Sequence, residues 1–280
     1  MASISHRISS SRSGAQPRRP AMSLADHRIS STLAAATQPL RGVAELVVAS
    51  RYPETRPSPE PALPAPSPLP GDAERALSLP APRALEPVQR SLASVIAARR
   101  SGRLAAGALD AATLGTLLAA AAARPAGLAD ATLDPLLFPV VFDVDGVPPG
   151  AHRYDRGEHR LAPIGPASRA RMAETAILQR EHAMGAAVLF LVVPIGRWLV
   201  AFGDRGYRGA AFAAGWLTDR LYLVAETLGL TYTATGGFAP AVVDEVLGLD
   251  GRDHTAFFAF AVGGHRQPTP REAPRGGQPR

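Results

Sequence analysis

Residues 202–238 limit the folds open to this chain more than any other stretch. The stretch begins Phe202-Gly203-Asp204-Arg205-Gly206-Tyr207-Arg208, a turn-forming and basic lead-in. Leu217, Leu221, Val224 and Leu228 then fall at steps of four, three and four, the spacing of one apolar stripe along a long helix. Gly229 stands where a left-handed residue would end that helix. Leu230 to Thr235 reads as a short strand, and Gly236-Gly237-Phe238 turns the chain sharply behind it. A helix with a strand directly after it and a glycine pair at the exit belongs in the middle of a core built from both element types. A ligand is expected near the two ends of that helix.

The rest of the chain supplies partners for this unit. With 280 residues and 46% apolar content, a sizeable core is possible. Glu86-Pro87 opens a helix that carries Val88, Leu92, Val95 and Ile96 and ends at Arg99-Arg100-Ser101-Gly102-Arg103. Asp110 can cap a second helix, with Leu114, Leu117 and Leu118 inward and Arg124-Pro125 as its stop. Phe138 to Asp145 reads as a buried strand, Gly150 to Leu161 as a hairpin around Arg156-Gly157, and Pro166 to Met184 as a polar amphipathic helix. Ala186 to Val193 reads as a fully buried strand, the region of Val242 to Leu247 as a short helix, and Ala256 to Val262 as the last strand. Strands scattered among helices predict an α+β fold, a mixed sheet covered by helices.

Several chemistries are excluded outright. The chain has no cysteine and no lysine; all 30 basic residues are arginine. Disulfides, thiolate nucleophiles, cysteine-based metal sites, a phosphate-loop lysine and a Schiff base are therefore ruled out. The net charge is +6, but residues 1–36 hold five arginines and one aspartate, and residues 266–280 hold four arginines and one glutamate. The tails thus carry +4 and +3 and leave the remainder near −1, so no nucleic-acid footprint is expected on the folded part. Residues 1–36 lack the apolar core of a secretory signal and read as a disordered basic tail, or as sequence upstream of a start at Met22. Residues 37–76, proline-dense from Arg51 to Asp72, read as an arm or linker, 77–266 as the folded domain, and 267–280 as a second basic tail. The longest apolar run, Ala186 to Ile195, is far short of the ~20 residues of a membrane span. A soluble, cytoplasmic protein is expected.

Candidate site residues each carry two readings. Arg99, Arg100, Ser101 and Arg103 gather guanidinium groups and a hydroxyl suited to phosphate oxygens. Equally, arginines at a helix end satisfy its free carbonyls. Arg205 and Arg208 could complete an anion site from the other end of the core, or be ordinary surface charges. Gly236-Gly237 permits close backbone approach to a planar ligand, or is a plain turn. His152, Asp155, Glu158 and His159 are close in sequence, but the turn at Arg156-Gly157 sends the carboxylates to solvent, so no metal site is expected. His182 and His254 read as surface residues. Neither Gly-x-Gly-x-x-Gly nor Gly-x-Ser-x-Gly occurs.

Taken in order, Arg-Arg-Ser-Gly-Arg (99–103), Gly-Ala-His-Arg-Tyr-Asp with His-Arg-Leu (150–161) and Phe-Gly-Asp-Arg-Gly-Tyr-Arg (202–208) resemble the FMN-dependent nitroreductase superfamily. So do the runs at 214–230, Gly-Gly-Phe (236–238), Leu-Gly-Leu-Asp (247–250) and Ala-Val-Gly (261–263), and the likeness is strongest to the SagB-type dehydrogenases that oxidise azolines in ribosomal peptide natural products. Val48-Ala-Ser-Arg-Tyr-Pro53 resembles the segment such proteins carry upstream. The resemblance implies a domain-swapped homodimer with FMN at the subunit interface. It implies that Arg99, Ser101 and Arg103 hold the flavin phosphate, with Arg266 reaching it late in the chain, and that Gly236 and Gly237 pass near the flavin. The chain departs from that pattern in Ala201-Phe202 for a Lys-Tyr pair, Trp216 for a histidine, Asp219-Arg220 for Gln-Asn, and Ala-Gly-Leu-Ala (126–129) for Pro-Ser-x-Gly. Alanine and phenylalanine cannot take the proton that azoline oxidation releases. Tyr207 and Tyr232 are the weak candidates to replace them. The implied activity is azoline oxidation on a precursor peptide beside partner modification enzymes. NAD(P)H-dependent nitro or quinone reduction and a lapsed scaffold subunit are the alternatives.

Overall fold

A computed structural model of the chain describes residues 68–83, 91–102, 104, 107, 109–124 and 131–265. All of them lie in the unit Tyr52–Arg280. The basic tails, the helix opening expected at Glu86-Pro87, and the segment 126–129 lie outside the described residues.

Seven strands form one sheet in the order β1-β6-β5-β3-β7-β9-β8. They are β1 (Leu77–Ser78), β3 (Leu136–Val141), β5 (Gly150–Asp155), β6 (Arg160–Gly165), β7 (Ala187–Val193), β8 (Leu230–Thr235) and β9 (Thr255–His265). Every pairing in this sheet is antiparallel. The one parallel pairing among the described residues joins the two-residue strands β2 (Leu109–Asp110) and β4 (Val144–Asp145).

β7 is buried at all seven positions, and its side chains divide strictly by alternation. Ala187, Leu189 and Leu191 enter one core with α2 (Ala111–Ala122) and α5 (Gly206–Thr227). Val188, Phe190 and Val192 enter the other with α6 (Pro240–Leu247) and the segment around Met172. A strand covered on both faces needs no polar side chain, which is why its sequence is continuously apolar.

The helices follow the expected capping chemistry at several ends. Asp110 accepts a bond from the Thr113 amide at 2.6 Å and starts α2. α5 ends at Thr227, and Gly229 takes φ +67 immediately behind it, a backbone region glycine enters without strain. α1 (Leu92–Ala98) begins behind Ser91, whose hydroxyl accepts from Ser94.

Three sequence expectations are corrected. Residues 166–184 do not form one amphipathic helix. They break into a single turn α3 (Arg169–Arg171), a π turn (Met172–Ala176), and a 3-10 turn (Arg180–Met184). The cause is non-local. Ile177 bridges Phe238, and the Leu178 and Ala239 amides bond Gly237 and Ala176 carbonyls at 3.0 and 2.8 Å, drawing the backbone out of helix. Second, the long helix starts at Gly206, inside the expected turn, behind a short helix α4 (Ile195–Phe202). Trp198 of α4 packs where side chains at Gly206 and Gly209 would stand: a Cβ there would lie 2.1 Å from its carbonyl oxygen and 2.3 Å from its ring. Third, His182 and His254 are buried, at 5% and 6% exposure.

Leu69 packs on the second core, and the Pro70 carbonyl accepts from Arg153 Nε at 2.9 Å. The end of the proline-rich arm thus already lies on the sheet. Asp244 ties α6 to β9, accepting from Thr255 Oγ1 at 2.8 Å and the Ala256 amide at 3.1 Å. Burial raises its carboxyl above the ordinary 3.8, against those bonds.

Two predictions follow from this packing. Gly206→Ala is expected to cost about 2–3 kcal/mol by forcing α4 from α5, whereas Gly215→Ala, on the exposed side of α5 with nothing within 4 Å, should be neutral or gain up to about 1 kcal/mol. Urea unfolding of both variants measures the difference. Burial also holds His152 and His254 below their ordinary 6.5, with Asp250 and Asp253 only partly offsetting it for His254. A lowered value means the unfolded chain accepts a proton that the folded chain refuses. Their contribution is therefore intact above 6.5 and lost as the pH falls from there through the folded-state value. Asp244 acts oppositely, its contribution present below 3.8 and lost as the pH rises through its raised value. The urea midpoint should fall between about pH 7.5 and about pH 5.5, by up to ~1.4 kcal/mol per pH unit for each histidine, and His254→Asn should remove roughly half of that slope.

Candidate functional site

An open groove of about 810 Å³ runs between the segment after α1, the 3-10 turn at 180–184, and β8. Its walls include Ser101, Gly102 and Leu104 on one side, Gln179, Glu181, His182 and Met184 on the other, and Thr233 and Ala234 at the base.

Tyr222 organises one end. Its hydroxyl lies 2.7 Å from Ser101 Oγ and accepts from the Ala234 amide at 3.1 Å. The two hydroxyls share one hydrogen bond, in which either can donate. The Arg99 guanidinium lies over the Tyr222 ring, 4.9 Å from its centroid, and the Gly102 amide bonds the Tyr232 carbonyl at 3.3 Å. Arg99, Ser101 and Gly102 are thereby held to the end of α5 and to β8. Stacking on an aromatic face fixes a guanidinium plane and leaves less rotamer entropy to lose when an anion arrives.

The other wall rests on β8 and its exit. Thr235 Oγ1 donates to Gln179 Oε1 at 2.8 Å and accepts from the Gly237 amide at 2.8 Å. A Cβ added at Gly236 would meet nothing within 4 Å, so open space lies over that backbone. His182 Nδ1 lies 3.1 Å from the Gln179 carbonyl, and its Nε2 lies 3.3 Å from Thr233 Oγ1. Arg169 donates to the carbonyls of Ala183 and Gly185, fixing the turn from behind.

The expected site residues divide into three groups. Arg99 and Ser101 meet at Tyr222, and Gly236 and Gly237 leave the strand whose Thr233 and Ala234 form the groove base. Arg100 is exposed next to them. Arg103 and Arg266 lie outside the described residues. Arg205 and Tyr207 stand at the start of α5, roughly 25 Å along the helix from Tyr222, and this chain's groove does not include them. Tyr207 is 42% exposed and packs on Phe257. Tyr232 is in the core, its hydroxyl donating to the buried Glu226 at 2.7 Å, a bond that already engages the hydroxyl proton. Ala201 and Phe202 close α4, away from the groove lining.

Tyr222, Gln179 and Thr233 escaped the sequence reading, and His182 was read as a surface residue. Tyr222 has the one readable signal, a polar-tipped aromatic beside the buried Leu221 near a helix end. Among the described residues no three histidine or acidic side chains are grouped to hold a metal ion, and no helix is long and apolar enough to cross a membrane.

Comparison with known proteins bears on this geometry. The nitroreductase family profile matches residues 96–264, from the last turn of α1 to the penultimate residue of β9. A Methanocaldococcus jannaschii protein named as a candidate nitroreductase is 30% identical over 108 residues, covering 38% of this chain and 54% of its own. The chain thus spans about half the length of that curated relative. The crystal structure of a candidate nitroreductase from Anabaena variabilis is 27% identical with a TM-score of 0.56, covering 61% of this chain and 37% of that one. One from Ralstonia eutropha has the same TM-score at 22% identity, covering 75% of this chain and 99% of its own, a likeness of fold.

Replacing Tyr222 by phenylalanine keeps the ring beneath Arg99 but deletes the hydroxyl between Ser101 and Ala234. The expected cost is about 1–2 kcal/mol, with faster hydrogen exchange at the Ala234 amide as the local readout.

Proposed function

Because the chain belongs to the nitroreductase family, which its matched residues 96–264 establish, we propose that it is an FMN-dependent oxidoreductase with the flavin in the groove beside β8. The observation that carries this reading is the Arg99–Tyr222–Ser101 cluster at one end of that groove. The residues present fit the cofactor. Arg99 and Ser101 would hold the phosphate, and Arg103 and Arg266 are proposed to join them. Gly236, with open space above it, admits a flat ring close to backbone amides. The groove volume of about 810 Å³ is within the range of cofactor pockets, ~300–1,000 Å³. When bound, FMN supplies hydride acceptance and donation.

The reading extends to a homodimer. Met184 of the groove wall is 57% exposed, and Leu178 and Phe212 are 76% and 78% exposed, apolar surface that a second copy would cover. Arg205 would then approach a groove only from that second copy.

The finer reading is a SagB-type dehydrogenase that oxidises azolines to azoles in a ribosomal peptide, alongside partner modification enzymes. It is supported by the ordered runs from Arg99 to Gly263. Ala201 and Phe202 favour a second reading, NAD(P)H-dependent reduction of nitro compounds or quinones, because hydride exchange between a nicotinamide and FMN needs no protein base there.

Titrating the full chain with FMN tests the first claim. A yellow complex is expected, weakened roughly 10–100-fold in Kd by Arg99→Ala, the loss of one charge-assisted bond of about 1.5–3 kcal/mol. A protein left colourless at saturating FMN would end the flavin reading. Loss of two hydrogens per azoline in a synthetic peptide, against steady oxidation of NADPH with a quinone, separates the two activities.

A further inference from the structure

Thr233, His182 and the Gln179 carbonyl stand in line on the groove wall, and no role described so far uses them. A carbonyl can only accept, so His182 Nδ1, 3.1 Å from the Gln179 oxygen, carries the ring proton. In the neutral imidazole Nε2 is then the acceptor, and Thr233 Oγ1, 3.3 Å away, donates to it. Hydroxyl, imidazole and orienting oxygen thus repeat the order in which enzymes couple a surface hydroxyl to a buried base, at a spacing such pairs show before a ligand tightens them.

Folding alone does not account for the arrangement. The 3-10 turn is already anchored by Arg169, through the Ala183 and Gly185 carbonyls, and by Nδ1 itself. Those bonds hold the turn to itself and to Arg169; the Nε2 contact reaches β8 and connects the imidazole to a half-buried hydroxyl that lines the groove. His182 is 5% exposed and lines the groove together with Thr233, whose hydroxyl lies beside the imidazole.

We infer that Thr233 and His182 form a proton relay opening onto the groove, taking the place of the proton-accepting pair missing at Ala201-Phe202. The inference rests on the flavin reading above. In azoline oxidation the Cα–H bond breaks and its proton moves to Thr233 Oγ1, while the hydroxyl proton moves to His182 Nε2. The electron pair left at Cα becomes the Cα–Cβ double bond as a hydride leaves Cβ, and bound FMN would supply the two-electron acceptor for it. The substrate thus loses one proton and one hydride, the proton being held by His182 as imidazolium and the hydride being what FMN would accept.

Other charges around the imidazole are few. The packed elements bring Arg169 and Arg171 from α3 and Glu174 from the π turn, and the imidazole's own turn adds Arg180 and Glu181. β9 adds His265 at its end, β8 adds Tyr232, already bonded to Glu226, and β7 adds none.

Two measurements on the full chain test the relay. The first is the pH dependence of the midpoint potential of the FMN-loaded protein, for wild type, His182→Gln and His182→Asn. The asparagine amide can still donate to the Gln179 carbonyl, so one variant should fold if the other does not. Without peptide the same relay would draw its proton from water in the groove as two electrons enter, a tenfold change in the equilibrium per pH unit that steepens the wild-type line by about 30 mV per pH unit relative to the variants. Parallel lines overturn the relay; a wild-type chain that takes up no FMN overturns the flavin reading and the relay with it. The second is imidazole nitrogen NMR without FMN. In the neutral ring, protonated Nδ1 and bare Nε2 are expected, with Thr233→Val moving the Nε2 resonance alone; a neutral ring that carries its proton on Nε2 sinks the relay whatever becomes of the flavin.

Discussion

The burial of β7 on both faces is the constraint from which the rest of the architecture follows. Seven consecutive apolar residues leave no edge to give to water, so helices must lie above and below. α5 supplies one cover and the segment from Met172 to α6 the other. The groove forms beside β8, where Ser101 is tied to Tyr222 of α5 while Leu104 and the 180–184 turn pack on the other core. Both layers therefore have to be in place before Arg99 and His182 stand across one space.

What could be read in the sequence is what depends on neighbours along the chain. β8 at Leu230–Thr235, the β5–β6 hairpin, the Asp110 cap and the glycine ending α5 each depend on a period or a local turn. What could not be read depends on partners remote in sequence. Residues 166–184 have helical polarity, yet Phe238 and Gly237 take their backbone bonds. α4 is recognisable only once Trp198 is seen against Gly206 and Gly209. The seven-stranded sheet is antiparallel, a feature that strand positions alone do not reveal.

The same division runs through the site. The arginine–serine run after α1 was visible as a candidate for phosphate binding, but its anchor was not: Tyr222 lies 121 residues from Ser101. Surface placement was the reasonable reading for a lone histidine, and it failed for His182 because the helix assumed around it does not exist. With the turn drawn onto β8, the imidazole faces a threonine hydroxyl instead of solvent. One misread backbone segment thus hid most of one wall.

The place of β9 has a consequence for how the chain is made. It is the last strand in sequence, yet it lies between β7 and β8, its neighbours on either side. During synthesis β7 and β8 leave the ribosome with facing edges and no strand between them, and unpaired edges of that kind invite association with other chains. The sheet closes only when residues 255–265 arrive. A nascent chain stalled before them would leave the edges of both strands unpaired at once, which makes translation speed through the final stretch a factor in the yield of folded protein.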